Sequence, residues 1–87
     1  MNIKKIFDLS NRVIVITGAA GLLGSEYANG FCQAGANVIL ADKNFVKCKK
    51  LATELEKKYG VKPLAIKLDV SNSKSIQQMI NQIKKKL

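Results

Sequence analysis

Val13-Ile14-Val15-Ile16-Thr17-Gly18-Ala19-Ala20-Gly21-Leu22-Leu23-Gly24 is the stretch whose pattern decides the fold. Its first five residues are β-branched without interruption. An apolar run with no polar alternation predicts a strand buried on both faces, as in a parallel sheet covered by helices. Three glycines then recur at spacings of three and lead into a helical pattern, with Leu23, Tyr27, Ala28 and Phe31 predicted along one side of the helix. Gly35, just after Ala34, is placed to stop that helix, because glycine adopts a left-handed conformation at low cost.

A strand–glycine–helix junction of this kind has a definite physical use. Gly18 lets the chain turn sharply out of the strand, and Gly21 removes a side chain where a pyrophosphate must approach. Gly24 lets the helix pack tightly on the sheet, and the helix N-terminus then aims its unpaired N–H groups at the phosphates. A bare triple-glycine pattern would be weak evidence, but between a buried strand and an amphipathic helix it predicts a dinucleotide-binding loop.

Outward from the loop, strands and helices continue to alternate. Residues 36–41 read as the second strand, closed by Asp42, and Asn44 can cap a second helix on which Cys48, Leu51, Ala52, Leu55 and Tyr59 recur at helical spacing. Gly60 ends that helix. Pro63 opens a third strand, where it loses no ladder bond, and Leu64, Ile66, Leu68 and Val70 alternate with Ala65, Lys67 and Asp69. Asn72 or Ser73 starts a last helix with Ile76, Met79, Ile80, Ile83 and Leu87 on one face. Before the first strand, residues 7–12 read as a polar entry ending in a turn. The βαβαβα order predicts an α/β fold: half of a Rossmann-type unit, with a three-stranded parallel sheet in the order 3-2-1, right-handed crossovers and flanking helices.

Asp42 stands 24 residues after Gly18, at the end of the second strand, where a carboxylate can accept hydrogen bonds from adenosine ribose hydroxyls. Its alternative role, capping the next helix, is better filled by Asn44. Asp69 ends the third strand at the same sheet edge, and either borders the same crevice or caps the last helix through Ser71. The acid at position 42 also predicts NAD in preference to NADP. A 2′-phosphate brought against it costs about 1–4 kcal/mol at a partly screened site. Lys43 could offset part of that, but a strand-end residue points into the crevice and its neighbour is expected to point away.

Thr17-Gly18-Ala19-Ala20-Gly21-Leu22-Leu23-Gly24, the Leu9-Ser10-Asn11-Arg12-Val13 entry and the Leu68-Asp69-Val70 ending resemble the N-terminal part of short-chain dehydrogenases/reductases. The resemblance runs from about Phe7 to Leu87. It implies that backbone amides around Leu22 and Leu23 meet the pyrophosphate, that Asp42 selects NAD, and that Asp69 and Val70 read the adenine. The loop departs from the commonest family pattern, which has glycine where Leu22 stands, and in its spacing is similar to the family's extended branch. The family's catalytic machinery is a serine and a Tyr-x-x-x-Lys pair. The tyrosine acts as general acid/base, and the lysine lowers its pKa. Neither tyrosine here qualifies: Tyr59 is followed four residues later by Pro63, and Tyr27 by Phe31. Residues 1–87 are therefore expected to be a partial dinucleotide-binding domain, a truncated or excised piece of an oxidoreductase, with no catalytic residue and no turnover alone.

Composition narrows the remaining classes. The 87 residues are 47% hydrophobic, a globular composition, and enough for one small domain. No apolar run approaches the roughly 18 residues of a membrane span, and no secretory leader is recognisable, so a cytoplasmic protein with no membrane partner is expected. Cys32 and Cys48 fall on apolar helix faces and read as reduced, buried thiols; with no histidine in the chain, a metal site is not expected. The net charge of +9 attracts phosphates, yet the lysines are scattered over helix exteriors without a stacking platform of aromatics, so no specific nucleic-acid partner is expected. The rival reading is a small, basic, non-enzymatic α/β protein acting through partner or nucleic-acid contact, with a vestigial loop. One further partner is expected: the first strand, on a sheet edge, is a template for self-association.

Overall fold

The computed structural model describes residues 12–86; the entry turn read at residues 7–11, and Leu87 at the end of the last apolar face, lie outside it. The elements run β1 (Val13–Thr17), α1 (Leu22–Gln33), β2 (Asn37–Asp42), α2 (Phe45–Tyr59), β3 (Leu64–Lys67) and α3 (Ser73–Lys86). The three strands are parallel, with β2 in the middle and β1 and β3 on the edges, which is the expected order. Ile14, Ile16 and Thr17 lie opposite Val38, Leu40 and Ala41, and Leu40 in turn lies opposite Ala65.

Because side chains alternate along a strand, this register puts Ile14, Ile16, Val38, Leu40 and Ala65 on one face. Ala28 and Cys32 of α1 and Cys48 and Leu55 of α2 close over that face, and Phe31, Leu51, Ala52 and Tyr59 pack around its margin. The heptad-like set read on α2 is thus its core stripe. Asn44 caps α2 by accepting a hydrogen bond from the Lys47 N–H at 3.1 Å. Gly60 ends the helix in the left-handed region at φ 71°. Tyr59 reaches across to α1, where its hydroxyl donates to Asn29 Oδ1 at 2.8 Å and so meets the polar need of a half-buried ring.

Four details differ from the sequence reading, each for a physical reason. β1 is covered on one face only: Val13 (49%) and Val15 (42%) remain exposed on the other, because β1 is an edge and both helices next to it lie on the opposite side. α1 begins at Leu22, and its buried residues are Ala28 and Cys32, in line with the half-buried Gly24; Leu23 and Tyr27 are exposed. The cause is the close approach at Gly24, which turns the small residues toward the sheet and leaves their N-terminal neighbours about 100° away around the helix. β2 starts and ends one residue later than read, at Asn37 and Asp42. β3 stops at Lys67; the Leu68 N–H still donates to the Asp42 carbonyl at 3.0 Å, but the Asp69 N–H turns to Ser75 Oγ at 2.9 Å and the ladder ends. α3 then starts on Asn72, whose side chain accepts from the Lys74 N–H at 2.9 Å. Ile76 and Ile80 on its apolar face are only partly covered.

Candidate functional site

The loop leaves β1 at Gly18, whose φ of +68° is disfavoured for residues with a Cβ. The Ala19 N–H then donates to the Ala41 carbonyl at 3.2 Å, tying the loop to β2, and the Gly21 N–H donates back to Gly18 at 3.0 Å, closing a tight turn. At Gly24 the helix comes so close that a Cβ would overlap the Gly18 carbonyl oxygen and lie 2.9 Å from Ala19 Cα; at Gly21 it would lie 3.3 Å from the same carbonyl oxygen. Gly18 is therefore demanded by its backbone conformation and Gly24 by close packing, while Gly21 sits in a tight but less exacting contact.

Gly21 is the N-cap of α1 and has no side chain with which to cap it. The first intrahelical acceptor role falls to its carbonyl, which receives the Ser25 N–H at 3.0 Å. The N–H groups of Leu22, Leu23 and Gly24 have no hydrogen-bond partner among the described residues. Three unmet donors at a helix N-terminus, next to a loop of glycines and alanines, form a cradle for an anion with several oxygens. The Leu22 and Leu23 side chains themselves project into solvent (81% and 62% exposed), so their contribution here is backbone.

The two acids stand differently. Asp42 Oδ2 accepts the Ala20 N–H at 3.1 Å, and Oδ1 accepts the Asn44 N–H at 2.9 Å. With Gly18, Ala41, Lys43, Leu68 and Val70, Asp42 lines a cleft of about 190 Å³ directly beside the loop. Pockets for whole drug-sized ligands usually run from about 300 Å³ upward, so this one matches a fragment such as a nucleoside end. Asp69 does not line that cleft. Its Oδ1 accepts both the Ser71 N–H at 3.0 Å and the Ser71 hydroxyl at 2.6 Å. Those two bonds, helped by Lys43, hold its carboxyl below the usual range. Asp69 Oδ1 thus holds the turn into the last helix, and its neighbours Leu68 and Val70 face the cleft.

Lys43 corrects an expectation. Instead of pointing away, it lines the cleft and reaches to 3.8 Å from Asp69 Oδ1. Strand alternation ends at Asp42, so it no longer dictates the direction of the next residue, and the facing carboxylate attracts the ammonium. Neither this pairing nor the Asp42–Ala20 bond has a signal in the sequence, since both depend on how the loop folds over the strand ends. A further groove, of about 640 Å³, lies along β3 between Phe45, Lys67, Asp69, Ser75, Gln78 and Gln82; Asp69 borders it, and no residue of the glycine loop does.

Cys32 and Cys48 are free and buried. Burial pushes the Cys32 thiol up to about 11, and burial together with the nearby Asp42 charge raises that of Cys48. Among the described residues no group of three or more His, Cys, Asp or Glu side chains could hold a metal ion, and no helix is long and apolar enough to cross a membrane.

Comparison with known proteins gives a consistent result. The model of the short chain dehydrogenase family matches residues 12–87. A short chain dehydrogenase/reductase of Aspergillus oryzae is 38% identical over 74 residues, 85% of this chain and 28% of its own. Sorbose reductase of Candida albicans is 36% identical over 84 residues, 97% of this chain and 30% of its own. Among solved structures, a Haemophilus protein assigned as a D-mannonate oxidoreductase, with bound NAD, superposes with a TM-score of 0.90 at 36% identity over 98% of this chain and 30% of its own. L-sorbose reductase of Gluconobacter frateurii, complexed with NADPH and L-sorbose, gives 0.85 at 26% identity over 98% of this chain and 31% of its own. The chain thus spans under a third of the length of each of these relatives.

Proposed function

The chain belongs to the short-chain dehydrogenase/reductase family, and from that premise we propose that residues 12–86 hold the adenosine–pyrophosphate half of a nicotinamide dinucleotide, NAD in preference to NADP. The observation that carries this reading is the set of three unpartnered N–H groups at Leu22, Leu23 and Gly24, opening beside a loop that carries only glycine and alanine side chains. A pyrophosphate supplies the oxygens those donors lack. Asp42 and Val70 border the adjoining cleft, where the ribose and adenine belong. Gly18, Gly21 and Gly24 shape the cradle, and Asp69 with Ser71 fixes the turn that carries Val70.

The preference for NAD rests on Asp42, a carboxylate against which a 2′-phosphate costs about 1–4 kcal/mol. Lys43 lessens the penalty but is already engaged with Asp69, and it must give up that pairing to meet a phosphate. Relatives with either cofactor share the fold, so the choice belongs to these side chains. Affinity is weak, near millimolar, because only half of the dinucleotide finds a site. Residues 1–87 contain no Tyr-x-x-x-Lys pair. By themselves they bind without turnover, since they bring no general acid/base to the substrate's carbonyl or hydroxyl oxygen.

Calorimetric titration with both dinucleotides at one ionic strength tests the proposal. NAD should bind more tightly than NADP, and Asp42→Ala should narrow the gap. Equal or tighter binding of NADP by the unaltered chain would sink the preference. Salt-sensitive affinity for RNA with no response to either dinucleotide would replace the whole reading with that of a basic binding protein.

A further inference from the structure

Asp42 is placed to do more than meet a ribose. Its two carboxylate oxygens are engaged by two backbone donors from different segments: Ala20, in the glycine loop 22 residues earlier, and Asn44, at the start of α2. Ala20 sits between the two glycines of the turn, and its neighbour Ala19 is fully buried and tied to the Ala41 carbonyl. The loop is thus held to the end of β2 at two successive residues, once by a backbone acceptor and once by the Asp42 side chain.

We propose that Asp42 is a positioning residue for the glycine loop: its carboxylate braces Ala20 so that the Leu22, Leu23 and Gly24 N–H groups converge before any ligand arrives. The phosphate-cradling consequence rests on the dinucleotide reading above, but the brace itself does not. A carboxylate accepts up to about four hydrogen bonds, so two sites remain for ribose hydroxyls after both backbone donors are served. One side chain then couples the two halves of the ligand. Ordering the ribose orders the phosphate cradle, and a loop that is already ordered loses less freedom on binding.

A mere ribose ligand and a brace make opposite forecasts for the unliganded protein. Amide hydrogen exchange read by NMR on the free 87-residue chain distinguishes them. With Asp42→Ala, the Ala20 amide should exchange on the order of tenfold faster, as expected for loss of one charge-assisted hydrogen bond, while amides in the middle of β2 keep their protection. Asp42→Asn keeps one acceptor oxygen for Ala20 and should restore most of the slow exchange, even though it removes the charge. Unchanged Ala20 exchange in Asp42→Ala, with β2 still protected, would overturn the brace. So would exchange in Asp42→Asn as fast as in Asp42→Ala. Should the alanine variant unfold, the comparison of the asparagine variant with the unaltered chain decides: slow exchange at Ala20 supports the brace, and fast exchange there alone contradicts it. A parallel titration with inorganic pyrophosphate separates the two proposals. If Ala20 is braced but pyrophosphate shifts none of the loop amides, the brace stands and the dinucleotide reading fails.

Discussion

Gly24 shows how much one missing methyl group decides. A Cβ there would strike the backbone of Gly18 and Ala19, which cannot yield as a flexible side chain can. Gly24→Ala should therefore cost about 1–3 kcal/mol of stability, in the range of other overpacking changes, and abolish the cradle. Gly30, on the same helix, faces open space and has no positive φ. Gly30→Ala should stabilise the protein by about 0.5–1 kcal/mol through helix propensity and a less free unfolded chain. Urea unfolding of the two variants checks the contrast, and loss of stability in both would refute it. The thiols give a pH dependence. Cys32, pushed up to about 11 by burial, ionises more readily in the unfolded chain. Its contribution is full below the ordinary thiol range near pH 8.5 and is lost as pH climbs toward about 11. The urea midpoint should fall over that window, and less steeply in Cys32→Ala.

At the scale of elements, most of the arrangement was legible because the patterns are unambiguous. The caps at Asn44 and Gly60 and the Cys48–Leu51–Ala52–Leu55–Tyr59 stripe each have a single physical reading and stand where they were expected, and the run at Val13–Thr17 forms the expected strand, though covered on one face instead of two. The rotation of α1 was not legible, because Leu23 and Tyr27 are the more apolar residues, and only the three-dimensional contact at Gly24 overrules them. Within the site, the glycines and Asp42 could be picked out by spacing. The Lys43–Asp69 pairing and the hold on Ala20 could not, being contacts between segments distant in sequence. The two sheet edges also differ. β3 is four residues long, is preceded by Pro63 and carries Lys67, all features that discourage further pairing. β1 has no charge and no proline, and it exposes Val13 and Val15. We propose that copies of this chain associate through β1. Light scattering should show dimers or larger species that diminish with Val15→Lys; a strictly monomeric unaltered chain at high concentration would count against it.

For the molecule as a whole, two features compete to define its ligand: a diffuse charge of +9 and one localised cradle. Diffuse charge attracts polyanions over many lysine-bearing faces and fades as salt rises, whereas the cradle offers a few directed donors to one pyrophosphate. NMR titration of the isotopically labelled chain with NAD at moderate salt separates them residue by residue. The amides of Leu22, Leu23 and Gly24 should shift most, followed by those of Asp42 and Val70, with the outer face of α2 around Lys49, Lys50 and Lys57 unmoved. Shifts spread over those lysines, or no shift at Leu22, Leu23 and Gly24 up to several millimolar NAD, would contradict the dinucleotide site.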